Sequence, residues 1–441
     1  MELIESSTST NMRGLAREIF LETLREISIP RVFAERIEYS HRVLRVEQDL
    51  YDLSACSNVL VVSIGKAAHT MLDSLIAQTG PTLEGIVVCS EPPPTQHPGF
   101  RYFVGGHPLP TEESMRAARA ILKSVSGSNA NTLVIFLISG GASAMVEVLS
   151  DEDVSLDDLI ETYRVLVHSG AAIGEINAIR KHLSAIKGGR LAQAAFPARQ
   201  VSIMVSDVPE HSLDALASGP TMPDSSSVSD CYRVAEANGM LHQFPKSVRE
   251  IFEERALEET PKADDPAFVH SRWWPILSSK SAANAAAKLT TQHGFAVEID
   301  NTPDDWSSER AAQYLLGRLR ELRRGVSRTA LISTGEITIK VESTGGVGGR
   351  NQHFALYCAQ QIAGQRITVL SAGTDGIDGN SPAAGAVVDG STIERARAAG
   401  LDPSTALDSF ESYSVFEKLG DAIITGPTGN NVRDLRILLA Y

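Results

Sequence analysis

Short runs of apolar residues recur along the chain, each followed at once by small polar residues and then by a helical pattern. Such runs are typical of strands buried on both faces of a sheet, and helices between them indicate parallel βαβ units. The runs predict strands at 58–63, 132–138, 201–205, 330–333 and 367–370. Because ligands bind beside the carboxyl ends of strands in such sheets, we expect the functional residues in the loops that follow.

A charged, proline-interrupted segment at 250–270 indicates the end of a surface helix followed by a linker. After it the pattern predicts a new first strand at 274–277, an alanine-rich helix at 281–288, a strand at 295–299 and a surface helix at 305–324. A chain of 441 residues is also too long to fold around a single hydrophobic core of ordinary size. We therefore predict two α/β domains, residues 1–250 and 276–441, with an active site in the cleft between them.

The composition, 43% apolar and 21% charged, is ordinary for a soluble globular protein. The net charge of −14, from 40 basic and 54 acidic residues, argues against a nucleic-acid partner and against an anionic membrane. It leaves a small anionic substrate open, because such a substrate responds to local Arg and Lys.

The cysteines and the apolar runs bear on the compartment. The chain has four widely spaced cysteines and no CxxC pair, which excludes a zinc site or disulfide framework and fits a reducing cytoplasm. The N-terminus lacks the apolar core of a signal peptide, and no apolar run approaches the ~18 residues of a membrane span. We expect a cytoplasmic protein.

The most informative stretch is 345–352, which reads Gly-Gly-Val-Gly-Gly-Arg-Asn-Gln. Glycines let a backbone pass close to a ligand, and Arg350 can place a planar fork of donors on a carboxylate or phosphate. A helix predicted at 353–363 would add free N–H groups at its N-terminus. This combination favours a ligand-binding loop over a plain turn, with Gly348, Gly349 and Arg350 as candidates.

A second glycine loop, Gly-Thr-Asp-Gly-Ile-Asp-Gly at 373–379, adds Asp375 as a candidate ligand-binding or metal-binding residue. Asp375 and Asp378 flank Gly376, a spacing that a tight turn alone would also explain.

Lys66 follows a predicted buried strand and opens a helix, so its ammonium group lies where the helix dipole already favours an anion. The alternative is a surface lysine whose stem covers apolar groups. The flanking Gly65 and alanines favour function, although the run does not match the P-loop pattern GxxxxGK[ST].

Residues 139–143, Ser-Gly-Gly-Ala-Ser, form a predicted strand-to-helix turn whose amides suit a phosphate or carboxylate. Its candidates are Ser139, Gly140, Gly141 and Ser143, although helix packing could equally require the glycines. Neither serine fits the GxSxG frame of a hydrolase.

Asp207 ends an apolar strand, where a carboxylate is either a helix N-cap or a Mg²⁺ ligand or base. Residues 175–190 concentrate four cations and a histidine in an acidic protein, which suggests anion handling against the plainer reading of a solvated face. Asn177 and Arg180 are the candidates there. His107 and Asp224 stay open between a structural and a functional role.

Taken in order, these motifs resemble the two-domain glycerate 2-kinases that carry a C-terminal MOFRL domain. The resemblance runs from about Val59 to Leu435. Its motifs lie at 65–68, 106–110, 139–143, 175–190, 206–208, 217–221, 349–352, 374–379 and 426–429.

The resemblance implies ATP-dependent phosphorylation of D-glycerate at its 2-hydroxyl with Mg²⁺, giving 2-phospho-D-glycerate and ADP. It also implies a Rossmann-like N-terminal domain and a smaller MOFRL-type α/β domain. The family's essential Lys and Arg fall on Lys66 and Arg350, and its acidic site residues on Asp207 and Asp375. A homodimer stays open.

The chain departs from the family pattern at three places. Glu210-His211 stands for Gly-Asp, His353 for Glu, and Thr334-Gly335-Glu336 for Gly-Gly-Glu. A kinase for a related hydroxy acid is therefore an alternative. Another is an NAD(P)H-dependent hydroxypyruvate reductase, a label given to some family members, but no GxGxxG fingerprint occurs. A non-catalytic sensor of small phosphorylated acids is a further alternative.

Overall fold

The computed structural model describes residues 2–151, 153–325, 327–341 and 345–441. The strands are β1 Ile37–Ser40, β2 Val43–Val46, β3 Asp49–Asp52, β4 Asn58–Ile64, β5 Glu84–Cys89, β6 Phe100–Val104, β7 Thr132–Ser139, β8 Arg199–Val205, β9 Ser271–Leu277, β10 Ala296–Ile299, β11 Thr329–Thr334, β12 Ile367–Gly373, β13 Gly385–Asp389, β14 Ala422–Ile423 and β15 Asp434–Ala440.

The α-helices are α1 Glu2–Glu26, α2 Ile29–Arg36, α3 Ala68–Thr79, α4 Glu112–Val125, α5 Ala142–Met145, α6 Leu156–His168, α7 Ile173–Leu183, α8 Arg190–Ala195, α9 Val228–Ala237, α10 Lys246–Glu253, α11 Ser279–Gln292, α12 Ser308–Leu322, α13 Arg350–Gln361, α14 Thr392–Ala398, α15 Pro403–Asp408 and α16 Ser412–Leu419. Short 3-10 helices lie at Glu210–Ser218, Pro266–Phe268 and Arg323–Gly325.

The chain folds into two compact units. The first unit is Val32–Ile276, and the second unit combines Leu277–Tyr441 with the first 31 residues. Helix α1 packs on α11 and on strands β12 and β13 of the second unit. Arg13 of this helix pairs with the buried Asp421 at 3.5 Å. The observed units therefore differ from the predicted ranges 1–250 and 276–441, which placed α1 with the N-terminal sheet.

The first unit contains a Rossmann-like sheet, as predicted. Its strands lie in the order β6-β5-β4-β7-β8-β9, and the pairs from β6 to β8 are parallel. Every residue of β7 is buried, which agrees with a strand covered by helices on both faces. The strand order reverses at β4, because β5 lies on one side of it and β7 on the other. In such sheets the crevice at this reversal, beside the carboxyl ends of the strands, is where ligands bind.

Strand β9 corrects the prediction that residues 274–277 begin the second domain. It lies at the edge of the first unit's sheet, next to β8. Its tryptophans hold it there, since Trp273 Nε1 donates to the Thr221 carbonyl at 2.7 Å and Trp274 Nε1 donates to Asp49 at 2.9 Å. The apolar pattern predicted a strand correctly, but such a pattern carries no information about which sheet the strand joins.

The predicted linker at 250–270 is also wrong in its later part, because the segment is fixed inside the first unit. Asp224 N–H donates to the Pro261 carbonyl at 3.0 Å, and Thr260 Oγ1 donates to the Asp224 carboxylate at 2.9 Å. Glu259 accepts from His182 at 2.9 Å. The earlier part of the segment is the end of helix α10, which stops at Glu253, as the charge pattern predicted.

The second unit holds a mixed sheet in the order β10-β11-β15-β12-β13-β14. Strand β15 runs antiparallel between β11 and β12, so the prediction of parallel units alone fails here. Helices α12 and α13 bury Leu315, Leu319 and Phe354 against this sheet. The predicted surface helix at 305–324 thus contributes an inner face to the core.

Two expectations about the compartment can be compared with the structure. All four cysteines are free thiols. Among the described residues, no helix combines the length and the hydropathy that crossing a membrane requires.

Candidate active site

The loops after β4, β7 and β8 meet at the carboxyl edge of the first unit's sheet. Lys66 N–H donates to the Gly140 carbonyl at 2.9 Å, and Ala67 N–H donates to Ser139 Oγ at 3.0 Å. A Cβ at Gly140 would overlap the carboxylate of Asp207, so this carboxylate lies directly on the Gly140 backbone. The structure therefore brings four predicted residues and their connecting backbone together at the point where the strand order reverses.

The side chain of Lys66 is exposed, and its stem lies over Gly141. Gly141 has φ +81°, and a Cβ there would be 3.1 Å from Lys66 Cγ and 3.2 Å from His107 Cδ2. Only glycine fits a left-handed turn covered on one side by two such side chains. Partial burial, together with the charge of Lys66, lowers the pKa of His107 and favours its neutral form. His107 thus joins the group, although its sequence motif left its role open.

Asp207 does not cap a helix. The next element is the 3-10 helix that begins at Glu210, and its N-cap is Pro209. The role of Asp207 as metal ligand or base stays a prediction. Ser143 lies two residues after Gly141 and shares a hydrogen bond with Ser218 at 2.9 Å. The helix that contains it, α5, has only four residues, so the predicted helix N-terminus supplies less to this loop than expected.

Most of the basic cluster at 175–190 serves the fold. Lys181 contacts Asp214 at 2.9 Å and the buried Asp224 at 3.1 Å. Lys187 is 1% exposed and pairs with Glu147, which is fully buried. These partners neutralise the cations locally, so the two lysines serve neither anion handling nor a solvated face but buried ion pairs, and Asp224 belongs to one of these pairs.

Asn177 and Arg180 lie on α7 and are half-buried. The Arg180 guanidinium covers the ring of Tyr163 at 4.6 Å, beside the Glu147–Lys187 pair. Its Nε is buried and has no hydrogen-bond partner within the described part of the chain. The assignment of Asn177 and Arg180 to substrate binding stays a prediction.

We expect Lys187→Met to destabilise the first unit by about 3–5 kcal/mol, because it leaves the Glu147 carboxylate buried without its cation. Urea denaturation would measure the loss. The double variant E147M/K187M should recover most of it, and the exposed Lys123→Met should stay within ~0.5 kcal/mol of the parent. A single variant as stable as the parent would mean that Lys187 is not a structural ion-pair partner.

In the second unit, four other predicted residues line one cavity of about 670 Å³. Gly348, Gly349, Arg350 and Asp375 share it with residues of the 373–379 loop and with Phe410. Its volume lies in the usual range of small-molecule sites. The two glycine loops are therefore neighbours in space.

The N-terminus of α13 differs from the prediction of free N–H groups. The carboxylate of Asp378 accepts from Asn351 N–H at 3.0 Å and from Gln352 N–H at 2.9 Å. A Cβ at Gly349 would overlap Asp378, which explains the glycine at this position. Asp378 is 1% exposed, and burial raises its pKa to about 6 against the lowering effect of these hydrogen bonds. The chain itself thus supplies the anion that this helix end binds.

We expect Asp378→Asn to lower stability by about 1–3 kcal/mol at pH 7, since an amide cannot accept both backbone N–H groups. The raised pKa of Asp378 adds a second effect. A carboxyl group whose pKa is higher in the folded state stabilises the fold as the pH falls through about 6. The gap between parent and variant should therefore widen by about 1 kcal/mol from pH 7 to pH 5.

Urea denaturation at both pH values measures this, with the exposed Asp264→Asn as the matched control. A gap that narrows at pH 5 would show that Asp378 is held as a low-pKa carboxylate instead.

Arg350, the first residue of α13, has its guanidinium fork occupied. Nε and Nη2 donate to Asp434 at 2.7 and 3.1 Å, and Nη1 donates to Glu336 at 3.0 Å. Burial lowers the pKa of Arg350, but the carboxylates of Asp434 and Glu336 outweigh it, so the net shift is upward. The paired donors that were predicted to bind a substrate carboxylate are therefore occupied by Asp434 and Glu336 in this structure. Only the second N–H group of Nη1 and that of Nη2 remain for a ligand.

Sequence reasoning missed the carboxylates that hold this arginine. Asp434 begins β15 and is 1% exposed, in a strand whose other residues are apolar except for Arg436. A buried aspartate in such a strand requires a partner, and this signal could have been found in the sequence. Burial raises the pKa of Glu336 despite the opposing charge of Arg350.

The residues proposed for Mg²⁺ can be compared with the ion's needs. Among the described residues, no three histidine, cysteine or carboxylate side chains gather in a metal-binding group. Mg²⁺ is usually held by one or two carboxylates together with substrate phosphates. Asp207, on the loop edge beside Lys66, and Asp375, in the cavity wall, each fit that requirement only with a phosphorylated ligand present.

Comparison with known proteins places this architecture. Residues 15–253 match the family described as "Domain of unknown function (DUF4147)", and residues 329–434 match the MOFRL family. The D-glycerate 2-kinase of Thermotoga maritima is 36% identical over 423 residues, covering 94% of this chain and 98% of the relative. A relative from Agrobacterium vitis with 35% identity, covering 86% of each chain, is named as a hydroxypyruvate reductase.

A crystal structure of the Thermotoga maritima glycerate kinase has a TM-score of 0.84 and 34% identity, with 98% of this chain and the whole of that chain covered. The fold and the paired domains define a two-unit α/β protein with a DUF4147 and a MOFRL region. The chain belongs to the glycerate 2-kinase family, and the resemblance found in its motifs is confirmed.

Proposed function

We propose that this protein is an ATP-dependent kinase that phosphorylates D-glycerate at its 2-hydroxyl, giving 2-phospho-D-glycerate and ADP. The observation that carries the proposal is the group of Lys66, the Gly140 and Gly141 loop and Asp207 at the reversal of the first unit's sheet. An exposed ammonium and a carboxylate beside a glycine loop suit a small anionic substrate together with a phosphorylated second substrate. The relatives named for glycerate kinase activity support the same reaction.

Phosphoryl transfer needs little covalent help from a protein, and it depends on positioning and on neutralising phosphate charge. Lys66 would neutralise the oxygens of the transferring group, because its ammonium stands exposed beside the loop that follows β7. The residues at 139–143 would hold the anion through backbone groups. Asp207 would either accept the hydroxyl proton or bind Mg²⁺, and Asp375 is the second candidate for the ion. Bound Mg²⁺ would neutralise phosphate charge.

Arg350 would act through the outer N–H groups of its guanidinium, toward the carboxylate of D-glycerate or the γ-phosphate. Asp434 and Glu336 would keep the guanidinium in place and fully charged. Gly348 and Gly349 line the same cavity and would be the backbone nearest to the bound anion. Asn177 and Arg180 stay weaker candidates for substrate binding.

A hydroxypyruvate reductase is the second candidate function, because a relative of similar identity carries that name. The chain has no GxGxxG fingerprint after any strand, which speaks against a dinucleotide at the first βα turn. Strand β4 is followed by a single glycine and then by Lys66, a pattern that suits charge neutralisation better than a pyrophosphate-binding turn.

A pair of assays tests the proposal. ADP formation from ATP and D-glycerate is followed beside NADH and NADPH oxidation with hydroxypyruvate, using the same preparation and including a series of other 2-hydroxy acids. We expect ADP release that depends on D-glycerate and no oxidation of either nicotinamide. Oxidation without ADP release would establish the reductase, and preference for another acid would redefine the substrate.

A further inference from the structure

Two cavities in the second unit share a wall. The cavity beside the glycine loops, about 670 Å³, adjoins one of about 890 Å³, and Ile339, His353 and Phe410 line both. We call these the loop cavity and the side cavity. Of these two cavities, the proposed function uses the loop cavity alone, so the side cavity has no assigned role.

The shared wall is built from two stacked rings. His353 lies in the first turn of α13 and is 6% exposed, and its ring stacks on Phe410 at 5.3 Å with 20° between the planes. Phe410 is held at φ +56°, a conformation that a bulky residue rarely adopts. The two stacked rings therefore form a flat surface in the wall that the cavities share.

His353 also has an unused polar atom. Its Nδ1 is buried without a hydrogen-bond partner in the described part of the chain, while Nε2 lies 3.8 Å from Glu309. Burial lowers the pKa of His353, with Glu309 acting in the opposite direction, so the ring is favoured in its neutral form. A neutral imidazole stacked on Phe410 gives the shared wall a planar, uncharged surface, which suits the face of a heterocyclic base.

The chemistry of the side cavity differs from that of the loop cavity. Tyr357 and Gln360 add an aromatic face and an amide, while Glu309 and Asp408 contribute carboxylates. Lys340 adds an ammonium group to the same lining, so the side cavity is mixed in charge. Its aromatic face and its amide suit an uncharged base, and its carboxylates can accept hydrogen bonds from the hydroxyls of a ribose. Among the described residues, the loop cavity has no aromatic residue of its own apart from the shared wall, and it combines glycine backbone with Arg350, Asp375 and Asp378.

We propose that the two cavities form one site for a purine nucleoside triphosphate, with the base in the side cavity against Phe410 and the phosphates in the loop cavity. The inference deepens the proposed kinase function and rests on it. Aromatic faces stack on bases with little dependence on sequence or orientation, and removal of such a face typically weakens binding about 5- to 150-fold. His353, where the family usually has Glu, would be this chain's own contribution to the base site.

The experiment uses the full chain and three probes: ATP, adenosine and inorganic tripolyphosphate. We expect adenosine to compete with ATP, and tripolyphosphate to compete with it as well, because each occupies half of the site. Phe410→Ala should weaken ATP and adenosine at least tenfold and leave tripolyphosphate within threefold. The effect should appear in KM for ATP and not in KM for D-glycerate. Phe196→Ala, which removes an exposed ring in the first unit, should leave the affinities of all three probes at parent values.

Gln360→Ala is a milder variant that keeps the test decisive if Phe410→Ala does not fold, and it should weaken adenosine and leave tripolyphosphate unchanged. Adenosine affinity that is unchanged in a folded Phe410→Ala or Gln360→Ala protein would overturn the base site. A parent protein that binds adenosine with this dependence on Phe410 but fails to phosphorylate D-glycerate would overturn the proposed function and keep the site. If the parent phosphorylates D-glycerate and neither variant changes the affinity for adenosine, the base site is overturned and the proposed function is kept.

Discussion

Replacing Lys66 by Ala is expected to lower kcat about 10²–10³-fold while leaving the fold intact. The ammonium is the exposed cation of the loop that follows β4, so its loss removes charge stabilisation that the transferring phosphoryl group needs. The backbone of this loop should keep its shape, because the bonds from Lys66 N–H to Gly140 and from Ala67 N–H to Ser139 do not involve the side chain.

The measurement is kcat at saturating ATP and D-glycerate, with thermal unfolding of the same preparation. Lys123→Ala, which removes an exposed lysine on α4, is the matched control and should keep the parent kcat. A Lys66→Ala protein that unfolds at the parent temperature and turns over at the parent rate would remove Lys66 from the catalytic group.

Replacing Arg350 by Lys is expected to cost at least tenfold in kcat/KM, about 1.4 kcal/mol. Arg350 donates to both oxygens of Asp434 and to Glu336 from three different nitrogens. All the N–H groups of a lysine lie on one nitrogen, so a lysine cannot make these bonds and also contact an anion. Because the guanidinium bridges two carboxylates, we also expect some loss of stability, and the two effects must be separated.

Asp434→Asn provides the separation. It keeps the shape of the partner and removes its charge, so it should reduce kcat/KM in the same direction if Asp434 positions Arg350. Steady-state kinetics and urea denaturation of both variants give the two quantities independently. Lost stability with unchanged kcat/KM in Arg350→Lys would assign the arginine to structure alone.

The first unit was largely predictable because its information is local. Apolar runs at 58–63, 132–138 and 201–205 are strands in the structure, and the polar residues after them lie at one edge of the sheet. Parallel βαβ units bring successive carboxyl ends to the same side, so sequence order alone places Lys66, Ser139 and Asp207 near one another.

The second unit was less predictable because its key contacts are distant in sequence. The partner of Arg350 is 84 positions away, and the carboxylate on the α13 N-terminus is 26 and 27 positions from its donors. No local pattern shows that Asp378 occupies the amides a ligand was expected to use. Strand β15 inserts antiparallel into the sheet, and α1 joins this unit from the other end of the chain.

The basic cluster was misjudged for a related reason. Charges at 175–190 suggested anion handling because the protein is acidic overall, but Lys181 and Lys187 are paired with the buried Asp224 and Glu147. Charge spacing along a helix does not show which carboxylates lie across from it. Conversely, His107 was left open between a structural and a functional role, although its ring lies beside Gly141, the glycine that the Lys66 side chain covers.

The central claim is that the protein transfers the γ-phosphoryl group of ATP to the 2-hydroxyl of D-glycerate, and the phosphorus spectrum of the product tests it most directly. A phosphate ester at C2 has one proton on the bonded carbon, so the proton-coupled ³¹P signal is a doublet. An ester at C3 has two such protons and gives a triplet. We predict a doublet that grows with ADP, is absent without enzyme, and grows about 10²–10³-fold more slowly with Lys66→Ala. A triplet, or ADP release with no new phosphate ester, would contradict the account.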